Sequence, residues 1–247
     1  VLLFLLFVSS NILSFRFGVR FLPYLTTSSI KLSDFESAVE LIATLRTNST
    51  SKQGLKYRSL ICTIVRHDPY LMEFLVRSLI TGFSHVVVYD NNRIYAGYDT
   101  NISSMLAPFI AAQLVTHVSW DQNNTDLLTN GDKVVGALQC INKYEKVADW
   151  IAYFDTDEYL YYQKERIAVD MLDDLLLELE RKNACAATVP MTLMYGEAKI
   201  LKQNRTLFEA YPRVCKVRPL PKILGRPRLT NYFIPHSAAC KSVGYNV

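Results

Sequence analysis

Three carboxylates fall within four positions, Asp155, Asp157 and Glu158, directly after the apolar run Ile151–Phe154. The run is β-prone and has the length of a buried strand, and the acids stand where that strand would end. Carboxylates this close repel one another unless a cation lies between them, and a divalent ion with oxygen ligands meets that need. The pattern therefore predicts a metal site that could also hold a diphosphate. The alternative is a solvated acidic turn.

Polar residues also follow two earlier predicted strands, as Arg66-His67-Asp68 and as Asp90-Asn91-Asn92. Ligands bind beyond the carboxyl ends of the strands in open α/β sheets, so this recurrence predicts one site at one sheet edge. An acid at such a strand end can accept hydrogen bonds from a base or ribose, although Asp-Asn-Asn also suits a turn.

Two further side chains could join this site. Arg66 could meet a phosphate or the base, and its alternative role is a salt bridge to a neighbouring acid. His236 could complete a metal site built by aspartates, because neutral imidazole is a common ligand. A single histidine is more often not a ligand.

Apolar runs alternate with amphipathic segments from Leu60 onwards, which predicts an α/β fold with a mostly parallel sheet and helices on both faces. The predicted strands are Leu60–Val65, His85–Tyr89, Leu114–Val118, Ile151–Phe154 and Cys185–Val189. The predicted helices are Tyr70–Thr81, Ser103–Ala112, Asp132–Ala148 and Val169–Lys182. The third helix has Val135, Leu138, Ile141 and Val147 on or near one face.

The composition fits one large domain or two small ones with a full core, since 50% of the 247 residues are hydrophobic. The net charge of +4 is mild and spread out, so nucleic-acid binding is not indicated. The basic stretch Arg213–Arg228 is interpreted as a solvated loop, or as a segment that contacts phosphates or an acidic acceptor. The five cysteines form no C-x-x-C pair, which argues against a zinc knuckle and leaves their pairing open. Cys62 is predicted to be a buried hydrophobic residue.

The N-terminal end predicts a secretory protein. Residues 1–20 are apolar and are interpreted as a signal peptide or signal anchor, complete or truncated, in a chain that starts without Met. Residues 21–57 are predicted to form a stem with a short helix from the capping box Ser33–Glu36 to Leu45, and residues 58–247 the main domain. The four N-x-S/T sequons favour a secretory-pathway lumen; they lie at Asn48, Asn101, Asn123 and Asn204.

Several common enzyme classes lack support. The sequence has no G-x-x-x-x-G-K-[ST] loop and no G-x-G-x-x-G after a strand, so P-loop and dinucleotide-binding proteins are not indicated. It also has no G-x-S-x-G elbow, which argues against the common α/β hydrolases.

Three segments resemble a known family. They are C-T-I-V-R at the first strand, H-V-V-V-Y-D-N-N at the second and A-D-W-I-A-Y-F-D-T-D-E-Y at the acidic cluster. Together they look like a family 92 or related family 2 type glycosyltransferase with a GT-A, Rossmann-like fold, over roughly residues 58–240. The resemblance implies a nucleotide-diphosphate sugar, in particular a UDP-sugar, with Mn²⁺ or Mg²⁺ and transfer to a glycan or glycoconjugate with inversion. It also implies a Golgi membrane protein with a lumenal catalytic domain.

The resemblance also implies roles for single residues. Arg66 would line the nucleotide pocket, and Asp90 with its neighbour Asn91 would hold the uridine or ribose. Asp155 and Asp157 would face the metal diphosphate, with His236 as a late metal ligand. Glu197 and Glu158 are candidate catalytic bases, and bracing of the metal loop is the favoured role for Glu158. The remaining matches concern packing or the acceptor side and lie at Gln139, Trp150 and Met194-Tyr195-Gly196.

The sequence departs from the family pattern after the first strand, where Arg66-His67-Asp68 replaces the usual Arg or Lys, Asn and Glu, and after the second, at Asn92–Tyr95. A glycosyltransferase-like binding protein without turnover therefore stays open. A nucleotidyltransferase also uses paired aspartates and metal on an α/β sheet. However, the Gly-rich basic loop that normally follows its first strand is absent from this sequence.

Overall fold

The computed structural model describes residues 8–9, 12–14, 39–40, 42–44, 54–65, 68, 70–91, 102–120, 131–158, 160, 171–195 and 213–241. The strands are β1 Val8–Ser9, β2 Ile12–Ser14, β3 Tyr57–Val65, β4 His85–Asp90, β5 Val115–Ser119, β6 Ala148–Tyr153, β7 Ala186–Tyr195, β8 Arg213–Gly225, β9 Thr230–Ile234 and β10 Ser237–Cys240. The helices are α1 Leu71–Thr81, α2 Ile102–Ala111, α3 Gly131–Tyr144 and α4 Met171–Arg181, with a 3₁₀ turn at Pro227–Leu229.

Eight strands form one sheet in the order β1-β2-β7-β8-β6-β3-β4-β5, and β9 and β10 form a separate hairpin. The central strands β6, β3, β4 and β5 are all parallel, whereas β8 runs antiparallel to both of its neighbours, β6 and β7. A mostly parallel sheet joined by helical crossovers is the predicted α/β architecture, and the prediction of a GT-A-like fold is confirmed at this level.

Helices cover both faces of the sheet, as predicted. On one face, Ile61 and Val65 of β3 belong to a core cluster shared with α1, α2 and α4. On the other face, Leu60 and Cys62 of the same strand belong to a cluster shared with α3 and with Ala238 of the hairpin. The alternation along β3 explains why Leu60–Val65 is largely apolar: a strand covered on both faces has no solvent side.

Helix α1 ends as its sequence predicts. Gly82 has φ +119°, a left-handed conformation that suits glycine, and its N–H reaches the Leu79 carbonyl at 3.2 Å. The next residue, Phe83, donates to the Ser78 carbonyl at 3.1 Å and buries its ring. This termination turns the chain directly into β4.

Helix α3 differs from the prediction at its end and in its buried face. It ends at Tyr144, and Ala148–Trp150 belong to β6 because they pair with Tyr57–Ser59 of β3. Val135 and Leu138 are exposed, and the buried face instead carries Gly136, Ala137, Cys140 and Ile141. Small residues are required there, since a Cβ at Gly136 would lie 2.5 Å from the Trp120 ring and 2.6 Å from Ile64.

The interpretation of Arg213–Arg228 as a loop is wrong for most of its length, because Arg213–Gly225 is the strand β8 inside the sheet. The prolines stand where the pairing with β7 is irregular: Met191 is opposite Arg218 and Val189 is opposite Lys222, which leaves Pro219–Pro221 across from Pro190. Proline has no N–H for the ladder and is tolerated at such a bulge.

The cationic side chains described in this stretch contact the protein itself. Lys222 pairs with Asp155 and Glu158, the Arg226 guanidinium lies 5.6 Å from the Trp150 ring centroid, and Arg228 donates to the Lys146 carbonyl at 2.9 Å. The alternative interpretation of the stretch, contact with phosphates or an acidic acceptor, stays a prediction.

Two disulfides cross-link elements that are distant in sequence: Cys62–Cys140 joins β3 to α3, and Cys185–Cys240 joins the start of β7 to β10. Cys62 is fully buried as predicted, but the view of it as a simple hydrophobic residue is wrong, since it is disulfide-bonded.

The N-terminal region is described only in part. Ile12–Ser14 forms β2 and pairs with Ala186–Thr188 of β7, and Val39 and Ile42, in a helical segment, are buried in the core. The capping box Ser33–Glu36 and the acceptor asparagines of all four sequons lie outside the described residues. Within the described part of the chain, no helix has both the length and the apolar character needed to cross a membrane.

Candidate functional site

The carboxyl ends of β3, β4 and β6 meet at one edge of the sheet. Val65 on β3 is level with Asp90 on β4, and Cys62 on β3 is level with Tyr153 on β6. The Phe154 N–H extends this ladder by donating to the Cys62 carbonyl at 3.2 Å. The residues that follow these three strands therefore lie together, and the register supplies the shared edge that the sequence pattern predicts.

The acidic motif forms a closed turn at that edge. The Glu158 N–H donates to the Asp155 carbonyl at 3.0 Å, and the Asp155 N–H donates to Glu158 Oε2 at 2.8 Å. Thr156 between them is buried and Asp157 is exposed. The turn thus presents Asp157 to solvent while Glu158 folds back onto the backbone, which is the geometry of a brace.

A buried lysine supports this turn from the neighbouring strand. Lys222 Nζ lies 2.8 Å from Glu158 Oε2 and 3.3 Å from Asp155 Oδ2, and only 4% of the Lys222 side chain is exposed. It reaches the turn because β8 runs beside β6, with Leu224 opposite Ala152. Lys222 is not among the site residues predicted from the sequence, in which the one available signal is the short apolar pair Ile223-Leu224 that follows it.

Burial raises the pKa of Glu158 to about 7, with Lys222 opposing the rise and the Asp155 charge adding to it. A carboxyl group that titrates near neutral pH can hold or release a proton under physiological conditions. This property distinguishes Glu158 from an ordinary surface glutamate.

Asp68 is a fourth carboxylate at this edge, and the candidate set from the sequence omits it. Its Oδ1 accepts a hydrogen bond from the Tyr70 N–H at 2.7 Å, which fixes the loop that enters α1. The pKa of Asp68 is raised, first by burial and then by the charges of Asp157 and Asp155. The three aspartates therefore act on one another electrostatically. The signal was present in the sequence, since Asp68 follows a strand as Asp90 and Asp155 do.

Asp90 and Asn91 close β4 at the same edge. The Nε2–H of His117 on β5 donates to Asp90 Oδ2 at 2.9 Å, a partner that the sequence did not reveal. Asn91 is almost fully buried, and its N–H donates to the Val65 carbonyl at 3.1 Å. Asp90 is half-buried and held in place, as a residue that binds a ribose or base must be.

His236 lies in the turn of the β9–β10 hairpin, which is docked on β8. Its Nδ1 lies 2.8 Å from the Pro221 carbonyl, and the Ile223 N–H donates to the Pro235 carbonyl at 3.0 Å. These two contacts flank Lys222. A carbonyl can only accept, so Nδ1 carries the proton and Nε2 of the neutral ring is left with its lone pair, the usual arrangement of a metal-binding histidine.

The donor chemistry of this edge fits a hard divalent cation. The edge carries more carboxylate groups than the single buried ammonium of Lys222 can neutralise. The exposed imidazole of His236 lies on the adjoining hairpin. In the described residues no three His, Cys, Asp or Glu side chains form a complete ligand set.

The other predicted site residues fall in different places. Arg66, Glu197 and Gly196 lie outside the described residues, and Met194-Tyr195 ends β7. Trp150 is fully buried, and its Nε1–H donates to Glu180 at 3.0 Å, a packing role. Gln139 is exposed on α3.

One comparison with known proteins identifies a family. The family model described as glycosyltransferase family 92 matches residues 61–214, more than half of the 247-residue chain. The matched segment begins in β3 and contains the acidic turn and Asp90. No curated protein matches the chain.

Proposed function

Since the chain belongs to glycosyltransferase family 92, we propose that it moves a sugar from a UDP-sugar to a glycan or glycoconjugate with the aid of Mn²⁺ or Mg²⁺. The family membership makes it a glycosyltransferase. The donor, the metal and the stereochemical course are our proposal. The observation that carries this proposal is the braced acidic turn, Asp155 to Glu158, beside Asp68 at the carboxyl edge of the sheet.

Each residue at this edge has a distinct task in the proposed reaction. Asp157, which is exposed, would bind the metal directly, and Asp155 would face the metal diphosphate. His236 offers Nε2 from the hairpin. When bound, the divalent ion stabilises negative charge on the departing diphosphate as a Lewis acid. Asp90, oriented by His117, accepts hydrogen bonds from the uridine or ribose, with Asn91 at its side.

Inversion needs a base that removes the proton of the acceptor hydroxyl as its oxygen attacks the anomeric carbon. Glu158 and Glu197 are the candidates. The Glu158 carboxylate already accepts from the Asp155 N–H and from Lys222, which favours bracing. Glu197 is therefore the candidate that we favour, and it lies outside the described residues.

A secretory-pathway lumen, in particular the Golgi, is the proposed location of the domain. Two disulfides are supported by the structure, and disulfides persist in oxidising compartments but are rare in the cytosol. The four sequons favour the same location.

Calorimetry of UDP binding tests the site. We expect wild-type protein to bind UDP with Mn²⁺ and to lose that binding with EDTA, because the carboxylates hold the diphosphate only through the cation. Asp157→Ala should weaken Mn²⁺-dependent binding about tenfold or more, the effect of losing a charged ligand. The matched control is Asp174→Ala, an exposed acid in the first turn of α4.

The outcomes separate the candidate functions. Equal UDP binding with Mn²⁺ and with EDTA would contradict the metal site. Metal-dependent UDP binding without transfer to any glycan would favour a glycosyltransferase-like binding protein. Release of UDP on transfer, rather than of pyrophosphate, excludes a nucleotidyltransferase.

A further inference from the structure

Lys222 is a buried cation that the proposed reaction does not use directly. A buried ammonium is unfavourable unless it is paired and hydrogen-bonded. Its Nζ lies 2.8 Å from Glu158 Oε2, 3.3 Å from Asp155 Oδ2 and 5.8 Å from the centroid of the Tyr153 ring. An ammonium group has three N–H donors, so two carboxylates and one ring face account for its bonding capacity. With a side chain only 4% exposed, Lys222 serves the protein rather than a ligand in solvent.

We propose that Lys222 is a positioning residue and internal counter-ion of the acidic turn, and that it makes binding of the divalent cation depend on the nucleotide. The inference rests on the proposed function, since it deepens how that site selects its ligands.

The charges around Lys222 support this proposal. Asp68, Asp155, Asp157 and Glu158 share the edge, and Lys222 lies closest to two of them. A unit positive charge within a few ångströms of carboxylates weakens their attraction for a second cation, most strongly where water is excluded. The turn with Lys222 in place therefore binds a divalent ion weakly by itself. The diphosphate of a nucleotide adds the missing negative charge and oxygen ligands, so ion and nucleotide bind together.

The fixed position of Lys222 in the sheet also supports the proposal. Lys222 is held within the sheet, since β8 pairs with β7 at Lys222 itself and with β6 two residues later. The hairpin contacts at Pro221 and Ile223 fix the strand on both sides. Glu158 Oε2 accepts from both Lys222 and the Asp155 N–H, so the ammonium keeps the turn closed. A counter-ion fixed by the sheet keeps its place when ligands arrive.

The experiment compares Mn²⁺ binding without nucleotide, by calorimetry, in wild type, Lys222→Met and Lys222→Arg. Met keeps the apolar stem and removes the charge, so we expect Lys222→Met to bind Mn²⁺ about tenfold or more tightly than wild type. Lys222→Arg keeps the charge and should resemble wild type. UDP should raise Mn²⁺ affinity strongly in wild type and less in Lys222→Met. Lys182→Met is the matched control, because Lys182 makes a similar but exposed pair with Glu178 at 2.6 Å.

A second pair of variants decides the question if Lys222→Met does not fold. Glu158→Gln and the double variant Glu158→Gln/Lys222→Met differ only in the ammonium, and the double variant removes both partners of one ion pair. We expect the double variant to bind Mn²⁺ about tenfold more tightly than Glu158→Gln.

Equal Mn²⁺ affinity within either pair would overturn the proposed role of Lys222. An assay of sugar transfer by wild type tests the proposed function separately. A wild type that transfers sugar while Lys222→Met binds Mn²⁺ no more tightly would refute this inference alone. A wild type that transfers nothing would refute the function, while the Mn²⁺ comparison would still decide the role of Lys222.

Discussion

The imidazole of His117 and the carboxylate of Asp90 face each other across β4 and β5, with His117 Nε2 2.9 Å from Asp90 Oδ2. Both side chains are largely buried, at 19% and 15% exposure. The bond holds the Asp90 carboxylate at the sheet edge where β3 and β6 also end. A strand-end acid held in one orientation is suited to accept hydrogen bonds from a ribose or base.

We expect Asp90→Asn to weaken binding of UDP and of uridine by similar factors, about tenfold, the scale of a hydrogen bond to a charged group. His117→Ala should weaken both by a smaller factor, because it frees the carboxylate without removing it. Calorimetry with the two ligands checks this, since Asp157→Ala should affect UDP but leave uridine binding unchanged. Loss of UDP binding alone in Asp90→Asn would place Asp90 at the diphosphate instead.

The second prediction concerns the hairpin that carries His236. The disulfide Cys185–Cys240 ties β10 to β7, whereas Cys62–Cys140 ties α3 to β3 and includes no residue of the hairpin. Replacing either pair by serine should lower the free energy of unfolding by about 2–5 kcal/mol. Only Cys185→Ser/Cys240→Ser should also weaken Mn²⁺-dependent UDP binding, since only that bond anchors the segment with His236.

Each double variant is the control for the other. Urea denaturation gives the two stabilities, and calorimetry at a temperature where both variants are folded gives the two affinities. Similar UDP affinities in both would show that the hairpin needs no disulfide to hold His236 in place.

The sequence was sufficient for the parallel core of the fold. Runs such as Leu60–Val65 and His85–Tyr89 are largely apolar because both faces are covered, and a polar cluster ends each one. Since parallel strands place their carboxyl ends at one edge, the pattern also predicted which residues meet there. Asp68 also follows one of these strands, and the structure places it where the charges of Asp155 and Asp157 act on it.

The antiparallel part could not be predicted from local pattern. β8 contains Pro219 and Pro221, normally signals against a central strand, and the bulge opposite Pro190 accommodates them. Lys222 is similarly atypical of a core, and only its ion pairs with the acidic turn make its burial possible. The disulfide partners could not be predicted from the sequence either, since Cys62 and Cys140 are 78 residues apart and meet only after folding.

The third prediction tests the contact between α3 and the sheet. A Cβ on Gly136 would lie 2.5 Å from the Trp120 ring and 2.6 Å from Ile64 Cδ1, both in packed surroundings. Gly136→Ala should therefore lower the free energy of unfolding by about 1–3 kcal/mol, although alanine favours helix more than glycine does. Denaturant unfolding measures this, with Leu138→Ala on the exposed side of the same helix as the control. A stabilised Gly136→Ala would show that α3 can move away from the sheet at little cost.

The last prediction concerns the opposite edge of the sheet, where Arg58 is 4% exposed and pairs with Glu180, with Asp149 at 3.6 Å and with Asp173 at 3.6 Å. Arg58→Met leaves these carboxylates without their cation and should lower the free energy of unfolding by about 3–5 kcal/mol, whereas Lys182→Ala should change it by less than about 1 kcal/mol.

Burial raises the pKa of Glu180, but hydrogen bonds from Arg58 and Trp150 outweigh it and leave that pKa below its usual 4.5. A carboxyl with a lowered folded-state pKa contributes stability above its unfolded pKa and loses it as the pH falls, so wild-type stability should decline below about pH 4.5, and less steeply in Arg58→Met. Urea titrations between pH 3 and 7 check both effects, and parallel declines in the two proteins would show that the Arg58 pair does not set the acid limit of the fold.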